Sequence, residues 1–277
     1  MGGLKRGYRA SVFGLGLLLS VPLLLVAIHV AVPGAVRSQL AFSHDQFRGY
    51  TLLTWVSVHP SNIHLGGSLV AYLLAGGLTY HLAVHARAQR WFRYTFVVIL
   101  LLVPVLTALT RFGLVSMLAP AASPTEQGFV DVAAGYGGTL LVALWAYVGE
   151  RFNRSIRWDV LISFLLFVVL GVDTLYRRRF HPLLLGSFLA LGIVQTAMYA
   201  RGTDKWWIMP SYRRSFGFHM LSMGVFFTLF VIVVILHPAD VQLGQQFLTT
   251  FADTAGIWFG FVLGSATWVA ASSTAER

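Results

Sequence analysis

The sequence contains no cysteine. That excludes disulfides, thiolate catalysis and cysteine metal sites. Lysine is almost as scarce: Lys5 and Lys205 are the only two, and both fall outside the apolar runs, so a retinal Schiff base has no attachment point. Charge of either sign is thin. Charged residues make up 11% of the 277, where a soluble globular chain carries about 25%. Acidic residues number only 10 against 20 basic ones, which leaves a formal charge of +10. A surplus of that size can mean nucleic acid. Here, however, the basic residues sit in short clusters between apolar stretches, as topology signals do, and a nucleic-acid partner is not expected.

What the chain has in excess is hydrocarbon. Apolar residues reach 57% and the mean hydropathy is +0.72. Runs of roughly 20 apolar residues, enough to cross a bilayer core, recur from end to end. Nothing between them is long enough to build a water-facing core. The fold class expected is therefore all-α, a polytopic transmembrane helical bundle. Spans are placed near 11–33, 60–84, 94–118, 128–149, 158–174, 181–200, 215–236 and 252–271. The first run follows Lys5, Arg6 and Arg9 and mimics a signal peptide. It is longer than an h-region of about 7–15 residues and lacks a convincing cleavage site, so it reads as a retained helix.

With the N-terminus inside, fourteen basic residues fall in cytoplasmic segments and six in outer ones. That bias orients both termini to the cytoplasm. The cluster Arg177, Arg178 and Arg179 is a local exception. Trp91, Trp158, Trp206 and Trp207 fall at the cytoplasmic ends and read as interfacial anchors.

Ionisable groups at membrane depth are costly, and each is a site candidate by default. Three segments bring such groups to one layer near the outer boundary: His59 to His64 at the start of the second span, Asp131 at the start of the fourth and His181 at the start of the sixth. His64 and Ser68, four residues apart, share a helix face. Gly66 and Gly67 on the second span, with Gly135, Gly137 and Gly138 on the fourth, allow the second, fourth and sixth helices to approach closely. The plainer readings are these. His29, His81, His85, His219 and His237, taken singly, read as interfacial or packing residues. His81 and His85 have i, i+4 spacing but no third ligand nearby, so neither a metal nor a cofactor is expected. Asp131 reads as an aspartate lining a shallow cavity and reaching water. Gly256, Gly260 and Gly264 after Asp253 read as a helix-packing series.

At this layer the residues resemble a family. The segment TWVSVHPSNIHLGGSLVAY, Thr54 to Tyr72, is similar to the second core helix of rhomboid intramembrane serine proteases, whose pattern is H-x-x-x-x-H-x-x-x-N. His59 and His64 match it, and Ser68 stands where Asn is expected. GFVDVAAGYGGTLLVAL from Gly128 resembles the nucleophile helix, which opens G-x-S-G, and HPLLLGSFLALG from His181 resembles the helix carrying the catalytic histidine. The resemblance spans roughly residues 40–200. It implies a six-helix core over 1–200, with a cytoplasmic loop and about two further helices over 201–277. It also implies a Ser–His dyad in which His181 is the base and His64 and Ser68 face the oxyanion.

The nucleophile position reads Val130, and the next position, Asp131, replaces a glycine. Valine cannot form an acyl-enzyme, and losing the nucleophile costs a serine protease on the order of 10⁶ in kcat. The family's glycines three and seven residues past the histidine are Leu184 and Phe188. The resemblance thus implies the fold and argues against the activity. The function expected is a rhomboid-like pseudoprotease that binds or regulates single-pass transmembrane clients in the lipid bilayer of the cell membrane. Two alternatives are a protease with a displaced nucleophile, Ser68 or Ser123, and a proton-linked transporter or channel using Asp131 with His181 or His64.

Overall fold

A computed structural model describes residues 2–118, 125–151, 221, 224–225, 228–229 and 243–273. The spans expected at 158–174 and 181–200, and most of that at 215–236, lie outside these residues, as do His181, Ser123, His219 and His237.

The regular structure of the described residues is helical apart from one short ladder. Helix α1 covers Gly2–Ala31, α2 Gly34–Leu40 and α3 Thr51–Thr54, which runs on into a 3-10 turn at Trp55–Ser57. Helix α4 covers Asn62–His85, α5 Gln89–Leu118, α6 Val130–Arg151 and α7 Leu243–Ser273. Strand β1, Phe42–Ser43, pairs antiparallel with β2, Thr125–Glu126, in the register Phe42 to Glu126. Among the described residues five helices are long and apolar enough to cross a membrane: α1, α4, α5, α6 and α7. The protein is a multi-pass helical membrane protein.

Several helices start earlier than hydropathy suggests, α1 at Gly2, α5 at Gln89 and α7 at Leu243. The hydrogen-bond ladder does not stop where the hydrocarbon does, and Lys, Arg and Gln are good helix formers. Lys5 therefore lies on α1, ahead of the apolar stretch Val12–Ala31. Helix α4 starts later, at Asn62, because Ser61 caps it: its side chain accepts the His64 N–H at 3.2 Å. The α4–α5 corner closes with Arg87 at φ 55°, where the Ala88 N–H reaches back to the Ala83 carbonyl at 2.7 Å.

Among the described helices α6 is the most deeply buried. Every residue from 131 to 144 is buried, as expected of a helix that is apolar on all sides. Helices α4 and α7 flank it most extensively, with α5 also in contact. The seam with α7 is made of glycines. A Cβ on Gly256 would lie 2.7 Å from the Asp131 carbonyl, one on Gly260 would meet the Gly135 carbonyl, and one on Gly264 would lie 3.1 Å from Thr139. The steps 131, 135, 139 against 256, 260, 264 run in the same direction, so α6 and α7 are parallel. The packing reading of the Gly256 series is what the structure shows. Among the described residues Gly135 and Gly138 face this seam and α5, and Gly66 faces open space; the sixth span, which these glycines are expected to admit beside the second and fourth, lies outside the described residues.

Trp91 corrects a second expectation. It is not an interfacial anchor but a core residue, 2% exposed, whose indole N–H donates to the Gly264 carbonyl at 3.0 Å. Its ring meets Trp268 edge-on, fastening α5 to α7. Proline accounts for another tie. Pro22 has no N–H to give the Leu18 carbonyl one turn back, and the Tyr72 hydroxyl on α4 donates to that carbonyl at 2.9 Å instead. The segment 32–61 folds onto the bundle and buries Phe42, Trp55 and Val58.

A candidate polar site at one end of the bundle

The end of α1, the start of α4, the end of α5 and the start of α6 meet at one end of the bundle, together with the segment 32–61. Arg87, Arg90 and Arg93 lie at the opposite end. His59 sits just before α4 and is 2% exposed. The Phe129 backbone N–H donates to its Nε2 at 3.3 Å. That contact assigns the ring proton to Nδ1, which is buried without a hydrogen-bond partner among the described residues. Burial, and then the neighbouring His64 and His29, lower the His59 pKa to about 4.

His64 projects from the first turn of α4 onto Gly128. Gly128 has φ 128°, a conformation open mainly to glycine, and any Cβ there would collide with His64 Nε2. The Gly128 N–H donates to the Trp55 carbonyl at 3.2 Å. The sequence between Gly128 and Asp131 is thus held by a histidine on one side and by the 3-10 turn on the other. His59 and His64 have ring centroids 5.9 Å apart. Ser68, one turn below His64, is fully buried, and its hydroxyl has no hydrogen-bond partner among the described residues, His64 included. Val130 opens α6 and is partly buried against the core.

Asp131 departs from expectation. It does not reach water: it is 2% exposed, and the Arg111 guanidinium of α5 donates to its Oδ1 at 2.9 Å. Arg111 also lies over the Trp55 ring at 5.7 Å. A buried carboxylate in a bilayer needs such a counter-charge, and the pair ties α5, α6 and the segment 32–61 together. In the sequence Arg111 is one of the six basic residues of the outer segments and reads only as a topology charge. Its depth at the end of α5 matched that of Asp131 at the start of α6, and that match was the available signal.

His29, which in the sequence reads as an interfacial or packing residue, belongs to this layer as well. Its Nε2 lies 2.7 Å from Asn62 Oδ1 and its Nδ1 lies 3.0 Å from Arg37 Nη1. Its ring is 6.4 Å from that of His59. Helix α1 ends, and α2 begins, only a few residues from His29, so one imidazole touches α1, α2 and α4. At the opposite end His85 Nδ1 lies 2.8 Å from the His81 carbonyl, which commits one ring nitrogen to the backbone.

Of the residues singled out in the sequence, the structure brings His59, His64 and Gly128 into contact, with Val130 and Asp131 following on α6. Ser68 lies one turn deeper on α4. What the arrangement offers chemically is a set of buried donors and acceptors on α4 opposite a glycine-opened strand of backbone. It has no hydroxyl poised against a histidine among the described residues. No family model, no curated protein and no solved structure matches the chain. Fold and site therefore define a class, a multi-pass helical membrane protein with a polar layer at one end.

Proposed function

We propose that the chain is a rhomboid-like membrane protein that binds or regulates single-pass transmembrane clients without cutting them. Both termini would be cytoplasmic and the polar layer would lie near the outer surface of the cell membrane. In this reading the described helices α1 and α4 to α6 belong to the six-helix core, with His181 completing the site from the sixth helix. The observation that carries it is the packing of His64 on Gly128, where the resemblance pairs the second core helix with the nucleophile helix, while Val130 stands where the attacking hydroxyl belongs. Acyl transfer needs a nucleophile with a transferable proton and a base beside it. Valine supplies neither a lone pair nor a proton, and Ser68 makes no bond with His64.

The test is activity-based labelling of the protein in proteoliposomes with a fluorophosphonate, alongside a single-pass transmembrane substrate. Neither labelling nor cleavage is expected, while the intact substrate should be retained in a pull-down from the same liposomes. Labelling that disappears in His181→Ala would overturn the proposal.

A further inference from the structure

We propose that the end of the bundle opposite the polar layer binds an anionic phospholipid, with Arg87, Arg90 and Arg93 on its phosphate and an acyl chain along the outward face of α5. The three arginines follow one another at steps of three residues, from the α4–α5 corner into α5. Arg87 and Arg90 are exposed and Arg93 is half-buried. Among the described residues no carboxylate is ion-paired to any of them, and the one acidic side chain at this end is Glu150, near the end of α6. Helix α1 carries Lys5, Arg6 and Arg9 at the same end, which adds to the positive field.

Two of the three arginines are already held in place. The Arg90 guanidinium carbon lies 5.7 Å from the centre of the Tyr94 ring, one turn along α5. That of Arg93 lies 5.9 Å from the centre of the Phe13 ring of α1. Attraction to a ring face needs no hydrogen-bond acceptor, so N–H donors remain for a phosphate, which takes them in pairs. Side chains fixed before a ligand arrives also lose less rotamer freedom when it binds.

Arg87 is an independent sign. It occupies the left-handed position that closes α4, at φ 55°, where glycine is the favoured residue and a Cβ is strained. Its exposed side chain makes no hydrogen bond or ion pair among the described residues. The fold bears that strain with no such contact to offset it, as expected where the charge serves a partner outside the chain.

The surface beyond the arginines says what kind of partner. Tyr94, Val97 and Leu101 follow Arg90 at steps of four, three and four residues, so they share its helix face. All three are about half exposed, as is Phe13. A free anion would use the arginines alone. A phospholipid uses both surfaces, its phosphate at the arginines and a chain on the apolar face below them. An anionic headgroup is favoured because basic side chains at the membrane surface attract it. The inference concerns the end away from His64 and Gly128, so it and the rhomboid reading can fail separately.

The test is native mass spectrometry of the full chain in detergent, titrated with phosphatidylglycerol or phosphatidylcholine. One phosphatidylglycerol should be retained under conditions where phosphatidylcholine is lost. Arg90→Gln and Arg93→Gln should each weaken its binding about fivefold, the worth of one basic residue at an anionic surface. Arg48→Gln, at the opposite end, should leave it unchanged, and inorganic phosphate in large excess should not displace the lipid. Arg87→Gly separates ligand from fold: it relieves the strain at φ 55°, so in lipid-free detergent it should melt higher than the parent while binding phosphatidylglycerol more weakly. Equal retention of the two lipids, a loss in Arg48→Gln like that in Arg90→Gln, or displacement by inorganic phosphate would overturn the proposal. So would an Arg87→Gly variant that melts lower or binds as tightly as the parent.

Discussion

Helix α6 meets its two main neighbours in opposite ways. Against α7 it offers glycine, and the two backbones come within direct contact: a Cβ on Gly260 would meet the carbonyl, carbon and Cα of Gly135, and one on Gly138 would meet the Ile257 carbonyl. Against the start of α4 the turn leading into α6 also offers a glycine, Gly128, but what Gly128 meets is the tip of a side chain, the His64 ring. The first contact has nothing that can rotate away. The second has a movable partner and a demanding backbone angle. In lipid, where helix association draws little on the hydrophobic effect, close backbone approach supplies the packing. The seam is therefore the structural half of α6, and the mouth, with its orphaned polar atoms, is the half free to hold chemistry.

The sharpest way to break this contrast is at the seam. Gly260→Leu places a branched side chain where no methyl fits, and overpacking against backbone forces helices apart. We expect loss of the monodisperse folded protein in detergent, read by size-exclusion chromatography. The same substitution at Gly66, which faces open space, should leave the profile unchanged. If Gly260→Leu were tolerated as well as Gly66→Leu, the parallel α6–α7 seam would be wrong.

The ion pair comes next. Asp131→Ala removes the carboxylate to which the Arg111 guanidinium, with only 11% of its side chain exposed, donates. Removing one partner of a buried pair costs about 3–5 kcal/mol. The double change Asp131→Ala with Arg111→Leu should recover a large part of that loss in thermal unfolding, because it removes both members of the pair. Equal destabilisation in single and double variants would show that the pair does not act as a unit.

How far the sequence foretold this division depends on the residue. The apolar runs and the glycine series from Gly256 were legible, since each rests on local spacing along one helix, and the shared layer of His59, His64 and Gly128 followed from their common depth at the starts of two spans. Partners across helices were not. Trp91 looked like an interfacial anchor because its neighbours are Arg90 and Arg93, yet the corner at Arg87 turns it inward onto Gly264. Asp131 looked wet because nothing nearby in sequence is basic, while its arginine lies 20 residues upstream on another helix. His29 looked incidental because neither Arg37 nor Asn62 shows any periodic relation to it. Hydropathy gives depth, and depth alone does not give azimuth.

The gentlest probe is the mouth itself. Gly128→Ala has two costs that can be separated. One is conformational: at φ 128° a residue with a Cβ is strained by about 1–3 kcal/mol. The other is steric, the collision with His64, and a side-chain tip can give way. The variant should therefore fold but melt lower than the parent. Truncating His64→Ala in the Gly128→Ala background removes the collision and leaves the backbone strain, so the double variant should regain part of the loss and never all of it. Full recovery would mean that φ at 128 carries no strain. No recovery would mean that the two residues do not touch, and the contact on which the functional reading rests would fail with them.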